Sequence, residues 1–229
     1  MKLSILIPAY NEKETIKEVL RRVKNADIGK TKKEIIVVDD FSTDGTIEVL
    51  KTLDDKNIKI IFHEKNYGKG HAIRTALKHS TGDIIIIQDA DLEYNPEDYY
   101  KLIEPILKNK ARVVYGSRVL NKNNKYSTLS FYLGGRLLSF LTNILYNTNI
   151  TDEPTCYKLF KKEVLDEINF ECEKFEFCPE VTAKVTKKGI KILEIPISYN
   201  PRNIKQGKKI RWKDGVIAAW TLIKYRFKH

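Results

Sequence analysis

The chain has 229 residues, of which 42% are hydrophobic and 31% are charged, so it is long enough to bury a full core and lacks the composition of a disordered protein. Its net charge of +11 favours an anionic partner, although a lysine-rich composition gives the same charge without one. No apolar run reaches the roughly 18 residues of a membrane span, and the N-terminus has no signal-peptide pattern, so a cytoplasmic protein is expected.

Five strands are predicted in the first 120 residues, because short apolar runs alternate there with amphipathic segments, the pattern of βαβ units around a parallel sheet. They cover residues 3–8, 34–38, 58–62, 84–87 and 112–115. The fourth strand is a run of four isoleucines and is apolar on both faces. It is therefore expected at the centre of the sheet, where both faces are covered.

Helices are predicted between these strands. Asn11 and Glu14 have the spacing of a capping box that opens the first helix, while Asn95 and Pro96 open the fourth, which Pro105 is expected to end or kink. The apolar faces of the first three helices are formed by Ile16, Val19, Leu20 and Val23, by Ile47, Leu50 and Leu53, and by Ala72, Ile73, Ala76 and Leu77.

Two amphipathic helices are predicted in the second half of the chain, after a polar loop at residues 121–127. The first covers residues 129–146, and it is a poor membrane span because it contains Arg136 and two glycines. The second covers residues 216–227 and is flanked by lysines and arginines. Their apolar faces are Leu133, Leu137, Phe140, Leu141, Ile144 and Leu145, and Val216, Trp220, Ile223 and Phe227. Either the helices pack on the sheet or they rest on a bilayer.

Acidic residues follow several predicted strands, and ligands of open α/β sheets bind at the carboxyl ends of the strands. Residues at positions i and i+2 of an extended backbone point to the same side, so Asp89 and Asp91 are placed to hold one hard cation, with Glu93 completing the set. Mg²⁺ or Mn²⁺ commonly binds one or two carboxylates together with substrate phosphates. The alternative to a metal site is an ordinary pair of acidic residues in a surface turn.

Several cations are candidates for binding phosphate. Lys69 lies between two glycines before a predicted helix, where backbone N–H groups and a lysine can contact phosphate, although an ordinary tight turn has the same sequence. Arg118, Arg136 and Arg202 lie near the ends of predicted elements. Each can bind phosphate bidentately, or it can be a solvated or salt-bridged arginine.

Five motifs occur in an order that is more specific than any of them alone: residues 7–12 (Ile-Pro-Ala-Tyr-Asn-Glu), 37–40 (Val-Val-Asp-Asp) with Ser42, Asp44, Gly45 and Thr46, 66–70 (Asn-Tyr-Gly-Lys-Gly), 89–91 (Asp-Ala-Asp) and 116–118 (Gly-Ser-Arg). In these motifs the chain resembles the family 2 inverting glycosyltransferases, in particular the polyprenyl-phosphate sugar transferases such as the dolichyl-phosphate mannosyl- and glucosyltransferases. The resemblance implies an α/β fold of the Rossmann-like glycosyltransferase A type, with a mostly parallel central sheet and helices on both faces.

The resemblance also implies residue roles. The nucleotide-sugar site would be formed by Pro8, Tyr10, Glu12, Asp39, Lys69, Asp89 and Ala90. Asp91 would be the principal metal ligand, assisted by Asp89 and by Glu93, which stands where relatives often have glutamine. Arg118, Arg136 and Arg202 would bind the donor pyrophosphate and the acceptor phosphate.

Two departures from the family pattern leave the acceptor open. Asp152 occupies the place of the acidic residue near the acceptor, but Thr-Cys-Tyr-Lys at residues 155–158 replaces the usual Ser-Gly-Phe-Arg run. Tyr199, Arg202 and Gly207 are similar to the family's acceptor loop, although two lysines at residues 208–209 replace a Ser-Lys pair.

The predicted function is metal-dependent, inverting transfer of a hexose from a nucleotide sugar of the GDP-mannose or UDP-glucose type to a polyprenyl phosphate, by a protein bound peripherally to the cytoplasmic membrane face. Asp152 is the candidate base if the acceptor is a hydroxyl, whereas a lipid phosphate is already anionic and needs none. The alternatives are transfer to a saccharide or protein hydroxyl, and a catalytically silent nucleotide-sugar binder. Nucleic acid is not expected as a partner, because acids at the strand ends repel phosphate.

One catalytic domain is predicted for residues 1–229. Residues 1–120 would bind the nucleotide sugar, and residues 121–229, with the two amphipathic helices, would bind the acceptor.

Overall fold

The computed structural model describes residues 1–126, 128–202 and 209–228, and within them seven strands form one sheet. The strands are β1 (Lys2–Ala9), β2 (Lys32–Asp39), β3 (Ile58–Phe62), β4 (Ile84–Ile87), β5 (Val113–Ser117), β6 (Lys158–Lys161) and β7 (Ile192–Pro196). Their order in the sheet is β3-β2-β1-β4-β6-β5-β7. The five predicted strands are all present, and the isoleucine strand β4 lies at the centre with four buried residues, as predicted.

The sheet is mostly parallel, which confirms the predicted α/β fold. Strand β1 pairs in parallel with β2 and β4, β2 pairs with β3, and β5 pairs with β7. Strand β6 is antiparallel to both of its neighbours, β4 and β5. Because β6 comes from the second half of the chain and lies between two strands of the first half, the predicted division at residue 120 does not correspond to a break in the sheet.

Eight α-helices are found in the described residues: α1 (Ile16–Asn25), α2 (Thr46–Lys51), α3 (Lys69–Lys78), α4 (Tyr99–Leu107), α5 (Leu129–Tyr146), α6 (Lys162–Asp166), α7 (Phe177–Lys187) and α8 (Trp212–Phe227). A 3₁₀ turn at Pro96–Asp98 precedes α4, and Asn95 caps it by accepting a hydrogen bond from the backbone N–H of Glu97, as predicted. Helix α4 continues two residues beyond Pro105, because a proline in the last turn removes a single backbone donor.

The predicted capping box of α1 is wrong. The helix begins at Ile16, and its N-cap residue, Thr15, makes no side-chain capping bond. Asn11 instead has a φ of 51° and accepts a hydrogen bond from the backbone N–H of Thr43. This left-handed conformation turns the chain at the end of β1 and joins it to the loop after β2. The inward face of α1 is as predicted, since Ile16, Val19, Leu20 and Val23 are buried.

Helices α5 and α8 expose their apolar faces. Helix α5 has the predicted bounds, but it buries Ser139 and Thr142, while Leu137 and Phe140 are 66% and 61% exposed. Helix α8 packs beside α5, where the hydroxyl of Tyr146 donates to the backbone carbonyl of Leu222 at 2.6 Å. We name as the apolar surface the ten outward residues Leu129, Leu133, Leu137, Phe140 and Ile144 of α5 and Trp212, Val216, Ile217, Trp220 and Phe227 of α8.

The α5 positions recur every three or four residues, and the α8 positions, except for the adjacent pair Val216 and Ile217, are about one or two helical turns apart, so the outward residues of each helix form one stripe. Simple packing of both apolar faces on the sheet is therefore excluded. Among the helices in the described part of the chain, none is both long enough and apolar enough to span a bilayer.

Candidate active site

The acidic residues predicted at the strand ends meet at one edge of the sheet, because β2, β1 and β4 are neighbours and run in parallel. Asp39 ends β2 opposite Ala9 of β1, and Asp89 follows β4. Pro8 is half-buried and Tyr10 is exposed at the end of β1. The topology thus brings the predicted nucleotide-sugar residues to the carboxyl edge.

Asp39 and Asp40 shape the loops around this edge. Asp39 is fully buried and accepts hydrogen bonds from the backbone N–H of Ser42 at 2.9 Å and from its hydroxyl at 2.6 Å. Asp40 accepts bonds from the backbone N–H groups of Tyr67 and Gly68, at 3.0 and 2.7 Å. These bonds tie the end of β2 to the turn that opens α3.

Lys69 opens helix α3 and forms an ion pair with Asp89 at 2.5 Å. The turn requires glycine before it, because Gly68 has a φ of 99° and a Cβ there would lie 2.5 Å from the carbonyl oxygen of Glu173. Burial lowers the pKa of Lys69, but the facing Asp89 carboxylate outweighs burial and raises that pKa above its ordinary range. Lys69 therefore stays charged and neutralises Asp89.

Arg202 lies among the other three carboxylates of the site. Its Nη2 donates to Asp91 at 2.8 Å, and its Nη1 donates to Glu12 at 3.1 Å. Its backbone N–H donates to Glu93 at 2.7 Å. Lys209 adds a second cation, with its Nζ 2.6 Å from Glu12. We name Glu12, Asp91 and Glu93 with these two cations the donor-side cluster.

The carboxylates of the donor-side cluster have the right chemistry for Mg²⁺ or Mn²⁺, which prefer oxygen ligands. Burial, together with the neighbouring Asp89 and Glu93, raises the pKa of Asp91 to about 7. Within the part of the chain that the structure describes, however, no three His, Cys, Asp or Glu side chains are grouped so as to hold a metal ion. The metal set Asp89, Asp91 and Glu93 stays a prediction, and here each carboxylate contacts a protein donor instead.

A second cluster lies around Asp152. This carboxylate is 3% exposed and accepts hydrogen bonds from the backbone N–H of Arg118 and from its Nε, both at 2.8 Å, and from its Nη2 at 2.7 Å. Arg136, on α5, donates to the backbone carbonyl of Thr151 at 2.7 Å. We name Arg118, Arg136 and Asp152 the acceptor-side cluster.

This geometry favours an anchoring role for Asp152 over the predicted role of base. Burial raises the pKa of Asp152, but the bonds from Arg118 outweigh burial and hold that pKa below its ordinary range. A carboxylate whose pKa is lowered, with both oxygens bound to a guanidinium, is a weak proton acceptor. The same pairing fixes the orientation of Arg118.

Tyr199 connects the two clusters. Its hydroxyl donates to Glu93 at 2.7 Å, and the guanidinium carbon of Arg118 lies 5.0 Å from the centre of its ring. The guanidinium therefore stacks near an aromatic face, a contact that arginine makes more readily than lysine does. The two clusters are therefore adjacent in this arrangement.

Three contributors to the site escaped the sequence interpretation. Thr15 donates from its hydroxyl to the backbone carbonyl of Ala90 at 2.7 Å, and the hydroxyl of Tyr94 accepts from the backbone N–H of Cys156. Neither residue belongs to a recognisable motif. Lys209 was noted as a departure from the family pattern, and its contact with Glu12 spans 197 positions of sequence. Residues 207 and 208 of the predicted acceptor loop lie outside the described residues.

A cleft of about 310 Å³ opens beside the donor-side cluster and is lined by Thr15, Asp91, Leu92, Asn200, Pro201 and Arg202. Its volume is at the lower end of the range for small-molecule sites. Two of its lining residues, Asp91 and Arg202, form an ion pair of the cluster, so an occupant of the cleft would contact that pair directly.

The open, mostly parallel sheet with a carboxyl edge rich in acids is the fold of the glycosyltransferase A type. The glucosyl-3-phosphoglycerate synthase of Mycobacterium tuberculosis, solved with Mn²⁺, uridine diphosphate and phosphoglyceric acid, has this fold. It superposes with a TM-score of 0.73 over 98% of this chain and 76% of that chain, at 19% sequence identity.

The chain belongs to glycosyl transferase family 2, whose family model matches residues 4–169. It is 32% identical over 228 residues to the UDP-N-acetylglucosamine–dolichyl-phosphate N-acetylglucosaminyltransferase of Methanococcus voltae, covering 90% of this chain and 89% of that protein. It is 33% identical over 207 residues to the dolichol-phosphate mannosyltransferase of Pyrococcus furiosus, covering 88% of this chain but 57% of that protein. The protein is therefore a glycosyltransferase, and the family resemblance of its motifs is confirmed.

Proposed function

We propose that this glycosyltransferase moves one hexose from a nucleoside-diphosphate sugar to a polyprenyl phosphate at a membrane surface. The observation that carries the proposal is the position of Arg136. This residue lies on α5, the helix that exposes half of the apolar surface, and its guanidinium donates to the backbone carbonyl of Thr151, next to Asp152 in sequence. One helix thus offers both an apolar face for a lipid and a cation for its phosphate.

The acceptor-side cluster suits an anionic acceptor. Arg118 and Arg136 are cations, and Arg118 is held in place by Asp152, so phosphate oxygens would meet donors that are already oriented. In the proposed step an acceptor phosphate oxygen attacks the anomeric carbon as the bond from that carbon to the leaving diphosphate breaks, with inversion. No proton needs to be removed from the attacking oxygen, which agrees with the anchored state of Asp152.

The donor-side cluster, together with the ion pair of Lys69 and Asp89, would bind the leaving group. Asp89 and Asp91, with Glu93, would hold Mg²⁺ or Mn²⁺, which would neutralise the negative charge that develops on the departing nucleoside diphosphate. Lys69 pairs with Asp89 and Arg202 pairs with Asp91, so both cations lie beside the proposed metal ligands. They would contact the diphosphate as well. Pro8, Tyr10 and Asp39, at the ends of β1 and β2, would surround the nucleoside.

The relatives' names support the lipid-phosphate acceptor, since both curated relatives are named as dolichyl- or dolichol-phosphate transferases. Transfer to a saccharide or protein hydroxyl is the other acceptor class for the same donor site. It would require a base, and the candidate base Asp152 is bound to Arg118 on both oxygens.

Release of nucleoside diphosphate from a panel of GDP and UDP sugars, with Mn²⁺ or Mg²⁺, tests this function. One donor is expected to give release that requires a short-chain polyprenyl phosphate and is at least about a hundredfold slower without it, because the acceptor supplies the nucleophile. Release driven instead by a free saccharide or peptide would identify a hydroxyl acceptor. Binding of a donor without release under any condition would identify a silent binder.

Membrane binding by the apolar surface gives a separate prediction. The protein is expected to sediment with anionic vesicles, because exposed aromatic residues lie among Arg211, Lys213, Lys224, Arg226 and Lys228. Replacing Phe140 and Trp220 together by serine is expected to weaken the partition constant by about a hundredfold or more, since each large side chain loses roughly 1.5–3 kcal/mol of burial. Vesicle sedimentation at moderate salt measures it.

Tyr100→Ser is the matched control, because Tyr100 is exposed on α4, outside the apolar surface. It is expected to leave vesicle binding unchanged. Failure of the unmodified protein to sediment, or equal loss in the control, would contradict peripheral binding through α5 and α8.

A further inference from the structure

We infer that Arg202 is a resident counter-ion that keeps free divalent cations out of the donor-side cluster until a nucleoside diphosphate arrives. The inference rests on the proposed donor site and adds an order of binding, in which metal and nucleotide enter as a pair. It also assigns Arg202 a role before catalysis, in addition to its predicted contact with diphosphate.

The first observation is the number of carboxylates that a single guanidinium satisfies. Arg202 contacts Asp91 at 2.8 Å and both oxygens of Glu12, at 3.1 and 3.3 Å, while its Nε lies 3.9 Å from Glu93. The side chain is 17% exposed, so water screens these contacts only partly. The guanidinium of Arg202, together with the ammonium of Lys209 on Glu12, therefore occupies the position where the acidic residues would otherwise repel one another.

The second observation is that Arg202 is incompletely bonded. Its Nε is buried and donates no hydrogen bond within the described part of the chain, even though its other two nitrogens are engaged. Buried arginine nitrogens in permanent structural pairs are normally satisfied. An arginine with an unused N–H group can form a further hydrogen bond to a partner that has additional oxygens, such as a diphosphate.

The third observation concerns space and charge at Asp91. A bound Mg²⁺ or Mn²⁺ needs carboxylate oxygens at about 2.0–2.2 Å. Nη2 of Arg202 already lies 2.8 Å from the Oδ2 of Asp91. Two cations on one carboxylate repel each other in a partly buried site, so a free metal ion binds only by displacing the guanidinium. A diphosphate removes this conflict, because it supplies oxygens to both cations.

The consequence is an exchange of partners. Without nucleotide, Arg202 pairs with Glu12 and Asp91, and Lys209 also pairs with Glu12. With nucleotide and metal, the metal ion takes over the carboxylates, and the guanidinium can bind the diphosphate bidentately. Thermodynamic linkage then requires nucleotide and metal each to raise the affinity for the other.

The test measures Mn²⁺ binding alone, without sugar or acceptor, from the electron paramagnetic resonance signal of free Mn²⁺. The unmodified protein is expected to bind Mn²⁺ weakly, and Arg202→Gln is expected to bind it at least about tenfold more tightly, because the competing charge is removed. Arg202→Lys keeps the positive charge but lacks the planar guanidinium that spans the carboxylates. Its affinity for Mn²⁺ is expected to lie between those of the unmodified protein and Arg202→Gln. Adding Asp91→Asn to Arg202→Gln should abolish the gain.

The matched control is Arg112→Gln, which removes a surface arginine paired with Glu163 and is expected to leave Mn²⁺ affinity unchanged. A second arm adds UDP or GDP: the nucleotide should raise Mn²⁺ affinity strongly in the unmodified protein and much less in Arg202→Gln. Equal or weaker Mn²⁺ binding by both Arg202 variants in the nucleotide-free protein overturns the inference. Because no transfer is measured, this outcome is independent of whether the proposed acceptor is correct.

Discussion

Asp91→Asn is expected to lower the rate of lipid-dependent nucleoside diphosphate release by about a thousandfold or more. Asp91 is the proposed principal metal ligand, and stabilisation of the leaving diphosphate is worth several kcal/mol, of which each 1.4 kcal/mol changes the rate tenfold. Asparagine keeps the shape of the side chain and removes its charge, so the loss would reflect ligand chemistry. Initial rates at saturating donor and acceptor measure it.

The same variant should remain folded. Burial and the adjacent carboxylates raise the pKa of Asp91 to about 7, well above the ordinary value for an aspartate. The folded state therefore binds the carboxyl proton of Asp91 more tightly than the unfolded state does. Through this group the free energy of unfolding falls as pH rises from about 4 to 7. Removing the charge is thus expected to leave the melting temperature at pH 8 equal to or above that of the unmodified protein.

Asp166→Asn is the matched control for Asp91→Asn, because Asp166 forms an exposed ion pair with Lys162 on α6, outside both clusters. Exposed pairs contribute little to stability, and this variant is expected to retain its rate and its melting temperature. A rate for Asp91→Asn within threefold of the control would remove Asp91 from the metal site.

Arg118→Lys is expected to lower kcat/KM for the polyprenyl phosphate by about a hundredfold while leaving donor affinity unchanged. Three donors of Arg118 bind Asp152, and its guanidinium also lies over Tyr199. The single ammonium of lysine cannot keep this bidentate pairing and also face the acceptor phosphate. Loss of one such charge-assisted contact is worth roughly 1.5–3 kcal/mol, or one to two powers of ten in rate. Steady-state kinetics with varied acceptor measures it.

Asp152→Asn separates the two roles considered for that residue. If Asp152 anchors Arg118, the single variants and Asp152→Asn/Arg118→Lys should show similar losses, since residues of one network are not additive. If Asp152 is a base, Asp152→Asn alone should remove the acidic limb of the pH–rate profile and Arg118→Lys should retain it. The second pattern would contradict the anchoring role and favour a hydroxyl acceptor.

Periodicity and motif order predicted much of the fold. The strand of four isoleucines was placed at the sheet centre because a strand apolar on both faces requires cover on both sides, and it is buried there. The bounds of α5 were also predicted, as its 3.6-residue period is uninterrupted from Leu129 to Tyr146. Strands β6 and β7 escaped prediction: β6 begins at Lys158, a fully buried lysine that only its tertiary partners make tolerable.

One of those partners, Tyr115, comes from a distant part of the chain, and the other, Glu153, lies only a few residues before Lys158. The ammonium of Lys158 lies 3.7 Å from the ring centre of Tyr115 and donates to the backbone carbonyl of Glu153 at 2.6 Å. A pattern of polar and apolar residues assigns lysine to the surface, because the pattern does not show which contacts would stabilise a buried ammonium group. The periodicity of α5 left two positions open for its apolar face, on the sheet or on a bilayer, because a period shows that a face exists and not what covers it.

The sequence by itself determined the family, the mostly parallel sheet and the gathering of acids at its carboxyl edge, because strand patterns and short motifs are local and parallel neighbours end at the same edge. Only the tertiary structure decided which cation meets which acid. Arg202 and Lys209 contact Glu12 across 190 and 197 positions of sequence. Such pairings depend on where the folded chain places each charge, and the free energy of an ion pair depends on that distance and burial. The outward orientation of the apolar surface was decided in the same way, by how α5 and α8 pack against the rest of the protein.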